Sequence, residues 1–213
     1  VCGRITQDEA TAREFICGRC IDRLPYADSP ELVRSRMFEN FPAENLRIDR
    51  VCALFSLRDD FDYMEIIYFL KYHGFTRAGE ELGRMLGRRL HHEGMDEIDY
   101  IIPVPIHRTR QRERGFNQSQ LIAEGIAQET AAPVCNNIIK RIRYTKTQTA
   151  LNATERMKNV AAAFDLDRPD IVGGRRLLLV DDVLTTGSTL NACAMTLAGA
   201  NPESISAATI AVA

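Results

Sequence analysis

Residues 177–189 read LLLVDDVLTTGST, and no other stretch restricts the fold so strongly. Leu177, Leu178, Leu179 and Val180 form an unbroken apolar run, the pattern of a strand buried on both faces of a parallel sheet. Asp181 and Asp182 follow at its carboxyl end. Thr185, Thr186, Gly187, Ser188 and Thr189 then make a small, hydroxyl-rich turn. Leu190, Cys193, Ala194 and Leu197 recur at helical spacing and predict a helix over 188–199. Backbone N–H groups at such a helix start, among hydroxyls and without bulky side chains, form a cradle for phosphate. The acids beside it suit ribose hydroxyls, or Mg²⁺ held on a phosphorylated sugar. Two competing phosphate motifs, G-x-x-x-x-G-K-S/T and G-x-G-x-x-G, do not occur. The bland alternative is a buried strand that runs into a Thr/Gly-rich helix start.

These thirteen residues resemble the signature of type I phosphoribosyltransferases, in which the loop binds the 5′-phosphate of phosphoribosyl pyrophosphate (PRPP). The resemblance implies that Thr185, Thr186, Gly187, Ser188 and Thr189 hold that phosphate. It makes Asp181 and Asp182 the catalytic acids, set on the ribose hydroxyls directly or through Mg²⁺. Position 185 is Thr, whereas the hypoxanthine-guanine enzymes place Asp there, which argues against that subclass.

The rest of the chain reads as alternating strands and helices. A short helix is expected over 31–38, a strand over 51–57, and helical spacing at Tyr63, Ile66, Ile67 and Leu70. A helix over 77–92 carries Ala78, Leu82, Met85, Leu86 and Leu90 on one face. A strand over 100–104, a helix over 117–129, a strand over 134–139, a polar stretch over 143–158, the strand over 177–181 and a last strand over 204–212 follow. Helices between apolar strands predict a parallel, doubly wound α/β sheet with helices on both faces. Ligands of such sheets bind beyond the carboxyl ends of the strands, which singles out the loops 105–117 and 181–189.

The first of these loops holds Arg108, Arg110, Arg112 and Arg114, four arginines in seven residues. Arginine forks match phosphate oxygens, so the cluster suits pyrophosphate. A solvated basic loop and a contact with a single-stranded nucleic-acid backbone are the alternatives, although Phe116 is the loop's one aromatic for base stacking. Pro103-Val104-Pro105, then Arg110, Arg112, Arg114, Gly115, Phe116, Asn117 and Gln118, resemble the ComF family of competence-associated, phosphoribosyltransferase-like proteins. Leu70-Lys71-Tyr72-His73-Gly74, and Gln148, Arg156, Asn159 and Phe164, extend the similarity, which covers residues 51–213. It implies a type I phosphoribosyltransferase-like domain over 51–213, a loop-rich connector over 25–50 and a partial zinc-finger-like segment over 1–24.

Cys17-Gly18-Arg19-Cys20 has the spacing of one zinc knuckle, and Cys2-Gly3-Arg4 looks like the second half of another. ComF-like proteins often carry such a finger. Cys2, Cys17 and Cys20 are thus candidate ligands of a structural Zn²⁺, one short of a closed site, with the fourth ligand expected upstream of Val1. Cys52 sits in an apolar strand and reads as core, and Cys135 and Cys193 read as buried reduced thiols. His91-His92 sits at a helix end, where imidazole meets the dipole favourably.

The chain of 213 residues can hold one α/β domain with a small appendage. A net charge of −2 gives no global reason to expect a nucleic-acid or membrane partner. No run of about 18 apolar residues and no signal-peptide pattern occur, so a cytoplasmic protein is expected. Two readings of function stay open. One is a phosphoribosyltransferase that uses PRPP and Mg²⁺ on an unidentified acceptor. The other is a non-catalytic module that binds PRPP, a nucleotide or single-stranded DNA and acts with a competence helicase. A homo-oligomer is compatible with either.

Overall fold

The computed structural model describes residues 23–57, 76–143 and 163–213. In chain order the helices are α1 (Pro30–Ser35), α2 (Thr76–His92), α3 (Arg108–Arg114), α4 (Gln118–Thr130) and α5 (Ser188–Ala198). The strands are β1 (Arg50–Ser56), β2 (Tyr100–Pro103), β3 (Ile139–Arg141), β4 (Phe164–Leu166), β5 (Arg176–Leu184) and β6 (Ser204–Val212). Four of them form a wholly parallel sheet in the order β1-β6-β5-β2, while β3 and β4 pair as a separate antiparallel ribbon.

The period-two geometry of strands divides each central strand between two cores. Leu177 and Leu179 of β5, with Ile205 and Ala207 of β6, face a core shared with α1, α5 and the ribbon. Leu178 and Val180, with Ala208 and Ile210, face a second core shared with α2 and α4. A strand apolar at every position is therefore required, because neither face reaches water. The result is the type I phosphoribosyltransferase architecture, a parallel sheet with helices on both faces. On the second face α2 and α4 pack closely through glycine. A Cβ on Gly83 would lie 2.2 Å from the Ile122 carbonyl oxygen, and one on Gly125 would lie 2.1 Å from that of Glu80.

Three expected features differ. The stretch 134–139 does not form a strand of the main sheet: Val134 makes one parallel bridge to Ile101, a turn at Asn136-Asn137 redirects the chain, and pairing resumes in β3 against β4. Cys135 is half-buried rather than buried, whereas Cys52 and Cys193 are buried. Burial pushes the Cys52 thiol up to about 11. The segment read as a connector supplies Ala27, Val33, Met37, Phe41, Leu46 and Ile48 to the first core. It is tied there by Asn191, 2% exposed, whose Oδ1 accepts from the Arg47 N–H (3.0 Å) and whose Nδ2 donates to the Asn45 carbonyl (2.8 Å).

Cys2, Cys17 and Cys20 lie outside the described residues, as do Leu70–Gly74, Gln148, Arg156 and Asn159. His91 and His92 close α2, and His91 Nδ1 lies 2.5 Å from Asp96 Oδ2, which holds the Asp96 carboxyl below its usual range.

Candidate functional site

β5 runs further than the sequence pattern suggests. Asp181 and Asp182 lie within it, and Asp181 is in register with Thr209 of β6. On its other side β2 ends at Pro103, opposite Val180. The acidic pair is therefore held by sheet hydrogen bonding on one side and reaches past its neighbour on the other. Asp181 Oδ1 accepts from the Asp182 N–H (2.9 Å) and from the Ser119 hydroxyl (3.0 Å) at the start of α4.

The turn that follows has no charged side chain. Thr185 is exposed, while Thr186, Ser188 and Thr189 are half-buried. The Thr186 and Ser188 hydroxyls share a 2.8 Å hydrogen bond, and the Ser188 N–H donates to Thr186 Oγ1 (3.4 Å). Gly187 sits at the N-cap of α5 with φ +76°, a conformation that disfavours any Cβ. Its carbonyl accepts the first α5 bond, from the Asn191 N–H (2.9 Å). A Cβ at Gly187 would also come within 2.4 Å of Met37 Cε. Glycine is favoured by the positive φ, and any Cβ would also have to displace the end of the Met37 side chain, beyond any need for close approach to a ligand. Residues 184–190 with Asp181 and Val183 line a small polar depression at this helix start.

The arginine segment is a helix, not a loop. The His107 ring accepts from the Thr109 N–H (3.2 Å) at its N-cap, and Gly115 ends it at φ +82°. Helical geometry sorts the arginines by i, i+4 spacing. Arg108 and Arg112 are exposed, whereas Arg110 and Arg114 are half-buried. Arg114 Nη1 donates to Gln118 Oε1 (3.2 Å), and Asn117 anchors the junction by donating to the Val104 carbonyl (3.1 Å). Because β2 and β5 are parallel neighbours, α3 and the 185–189 turn both emerge from one edge of the sheet.

Residues with no motif of their own also gather here. Arg141 of β3 lies over the Phe164 ring, 5.4 Å from its centroid. Burial, and then the like charge of Arg110, push its pKa below the usual arginine value, while Cys193 and Asp181 oppose the shift. The ribbon thus brings a cation within electrostatic range of Asp181. A local signal for Arg141 existed only as one cation in the basic run after Ile138-Ile139. Met37, Ser119 and Asn191 had none, because their partners are remote in sequence.

The donor set can be weighed for a metal. Among the described residues no three His, Cys, Asp or Glu side chains cluster as a closed cage. Two adjacent carboxylates do suit Mg²⁺, which is usually bound by one or two carboxylates together with ligand phosphates. No described helix is long and apolar enough to cross a membrane.

A phosphoribosyl transferase domain model matches residues 117–212. The chain is 46% identical over 92 residues to competence protein F of Haemophilus influenzae, covering 43% of this chain and 40% of that protein. It is 35% identical over 129 residues to DNA utilization protein YhgH of Escherichia coli K12, covering 59% and 56%. It is 31% identical over 103 residues to competence protein ComFC of Bacillus subtilis, covering 48% and 39%. The chain thus spans about half the length of the curated relatives it matches. Among solved structures, adenine phosphoribosyltransferase from Thermoanaerobacter pseudethanolicus aligns over 65% of this chain and 82% of that one, with a TM-score of 0.41 and 15% identity. By the domain that matches and the relatives it resembles, the chain is similar to the ComF family of phosphoribosyltransferase-like proteins.

Proposed function

We propose that the chain binds PRPP with Mg²⁺ at the β5 edge and transfers its phosphoribosyl group to an acceptor nucleophile, in a role connected with DNA uptake or utilisation. The observation that carries this reading is the parallel pairing of β2 with β5. That pairing brings the uncharged turn, the acidic pair and the cationic helix to one edge of the sheet, which supports a donor bound in the order 5′-phosphate, ribose, pyrophosphate. Thr186, Ser188, Thr189 and the first N–H groups of α5 receive the 5′-phosphate. Asp181 and Asp182 receive the ribose hydroxyls. Arg110 and Arg114 face the pyrophosphate, with Arg108 and Arg112 at its outer margin.

In transfer, the bond from C1 to the pyrophosphate oxygen breaks as the acceptor's lone pair forms the new bond to C1. Positive charge grows on the ribose and negative charge on the leaving group. Prearranged guanidinium groups stabilise the latter more in the transition state than in the ground state. The carboxylates orient the ribose and favour its developing cation. Mg²⁺, held by Asp181 and Asp182, would neutralise part of the pyrophosphate charge. The competence and DNA-utilisation roles in the relatives' names support the cellular setting.

A second reading has its own support. Arg108 and Arg112 are exposed on the outer face of α3, where a single-stranded DNA backbone could lie without entering the crevice. Titration with PRPP and Mg²⁺, followed by a pyrophosphate-release screen over bases and amines, tests the first reading. Asp181→Asn with Asp182→Asn should weaken PRPP binding and abolish its Mg²⁺ dependence. A double variant that binds Mg-PRPP like the parent removes the ribose-site assignment.

A further inference from the structure

We propose that Ser119 is a positioning residue that locks the Asp181 carboxylate in its ribose-binding orientation. The inference rests on the donor-site reading above and adds a residue to it. Ser119 is 3% exposed at the second position of α4, and its hydroxyl donates to Asp181 Oδ1 at 3.0 Å. The partners lie 62 residues apart in sequence, on different elements. Asp181 Oδ1 is then engaged twice, by Ser119 and by the Asp182 N–H (2.9 Å). With one oxygen held on two sides, rotation of the carboxylate is restricted.

The serine itself is held at several points. The Asn117 side chain caps α4 by accepting from the Ser119 N–H (3.2 Å), and its amide donates to the Val104 carbonyl (3.1 Å) at the end of β2. The neighbouring Gln118 is 2% exposed and accepts from Arg114 at 3.2 Å. One turn of α4 therefore ties the arginine helix, the end of β2 and the acidic pair together. A serine buried at a helix start has no need of a remote carboxylate for helix formation. Its N–H is already satisfied by the cap, so the hydroxyl is the group whose role lies in Asp181.

The probes are inorganic phosphate, which needs only the 185–189 turn, and ribose 5-phosphate, which also presents ribose hydroxyls. Ser119→Ala should lower ribose 5-phosphate affinity about tenfold, the scale of one hydrogen bond to a charged group. It should leave phosphate affinity unchanged. Ser119→Thr, which keeps the hydroxyl, should restore ribose 5-phosphate binding relative to Ser119→Ala. Asp181→Asn serves as the reference. If Asp181→Asn weakens ribose 5-phosphate but Ser119→Ala does not, the positioning role is wrong and the donor site stands. If Asp181→Asn also has no effect, both fall. Equal losses for phosphate and ribose 5-phosphate in Ser119→Ala would assign the residue to general folding of the edge and overturn the proposal.

Discussion

The two segments that leave the β2–β5 edge are built on opposite principles. The 185–189 turn carries no charge, and much of it is held by the interior: Gly187 rests on Met37, and the first turn of α5 is clamped to residues 45 and 47 through Asn191. The α3 segment is dominated by charge and contributes no buried side chain. The first can bind an anion only with backbone amides and hydroxyls in fixed positions. The second can bind one only with guanidinium groups carried on a helix. A phosphate monoester suits the first, and a pyrophosphate or nucleic-acid backbone suits the second.

The largest expected effect comes from breaking the rigid side. Gly187→Val forces a β-branched residue to φ +76° and drives its Cβ toward Met37, so stability should fall by about 2–5 kcal/mol, with phosphate binding lost. Denaturant unfolding and phosphate titration check this. Wild-type stability in the variant would mean that the turn is not seated on the core.

On the cationic side the effect should appear in binding and not in stability. Arg110→Ala and Arg114→Ala should each lower PRPP affinity by about 1.5–3 kcal/mol. Arg108→Ala and Arg112→Ala should change it little, because these residues face solvent. The converse pattern in single-stranded DNA binding, with a reduced salt dependence, would support the second reading. Four equal losses of PRPP affinity would erase the distinction between the two faces of α3.

A smaller effect tests how the rigid turn is supported. Asn191→Ala leaves the Arg47 N–H and the Asn45 carbonyl without their side-chain partner, and should cost about 1–3 kcal/mol of stability. It should weaken phosphate binding through the displaced start of α5. The smallest is Gly115→Ala. Its φ of +82° resembles that of Gly187, but a Cβ there meets nothing within 4 Å, so the cost is backbone strain alone, about 1 kcal/mol. A Gly115→Ala loss as large as that of Gly187→Val would show that φ alone governs both glycines.

The amino-acid order by itself determined the elements whose patterns are local. The unbroken apolar run of Leu177–Val180, the glycine-hydroxyl turn and the helical spacing of Leu190, Cys193, Ala194 and Leu197 each specify their element within a few residues. The strands around Val51 and Ile205 and the helix around Leu82 and Leu86 are legible for the same reason. The arginine helix was not, because a helix without an apolar stripe has no hydrophobic period to read, although Arg, Gln and Glu favour it intrinsically. Nor could the full extent of β5 be read from its residues: the strand runs on past Asp181 to Leu184 because Ala211 and Val212 of β6 pair with Val183 and Leu184. Which arginines of α3 are half-buried, what a Cβ at Gly187 would meet, and that Ser119 donates to Asp181 all depend on partners tens of residues away. Only the tertiary structure decides these, because long-range register and packing select among side-chain environments that local sequence leaves equivalent.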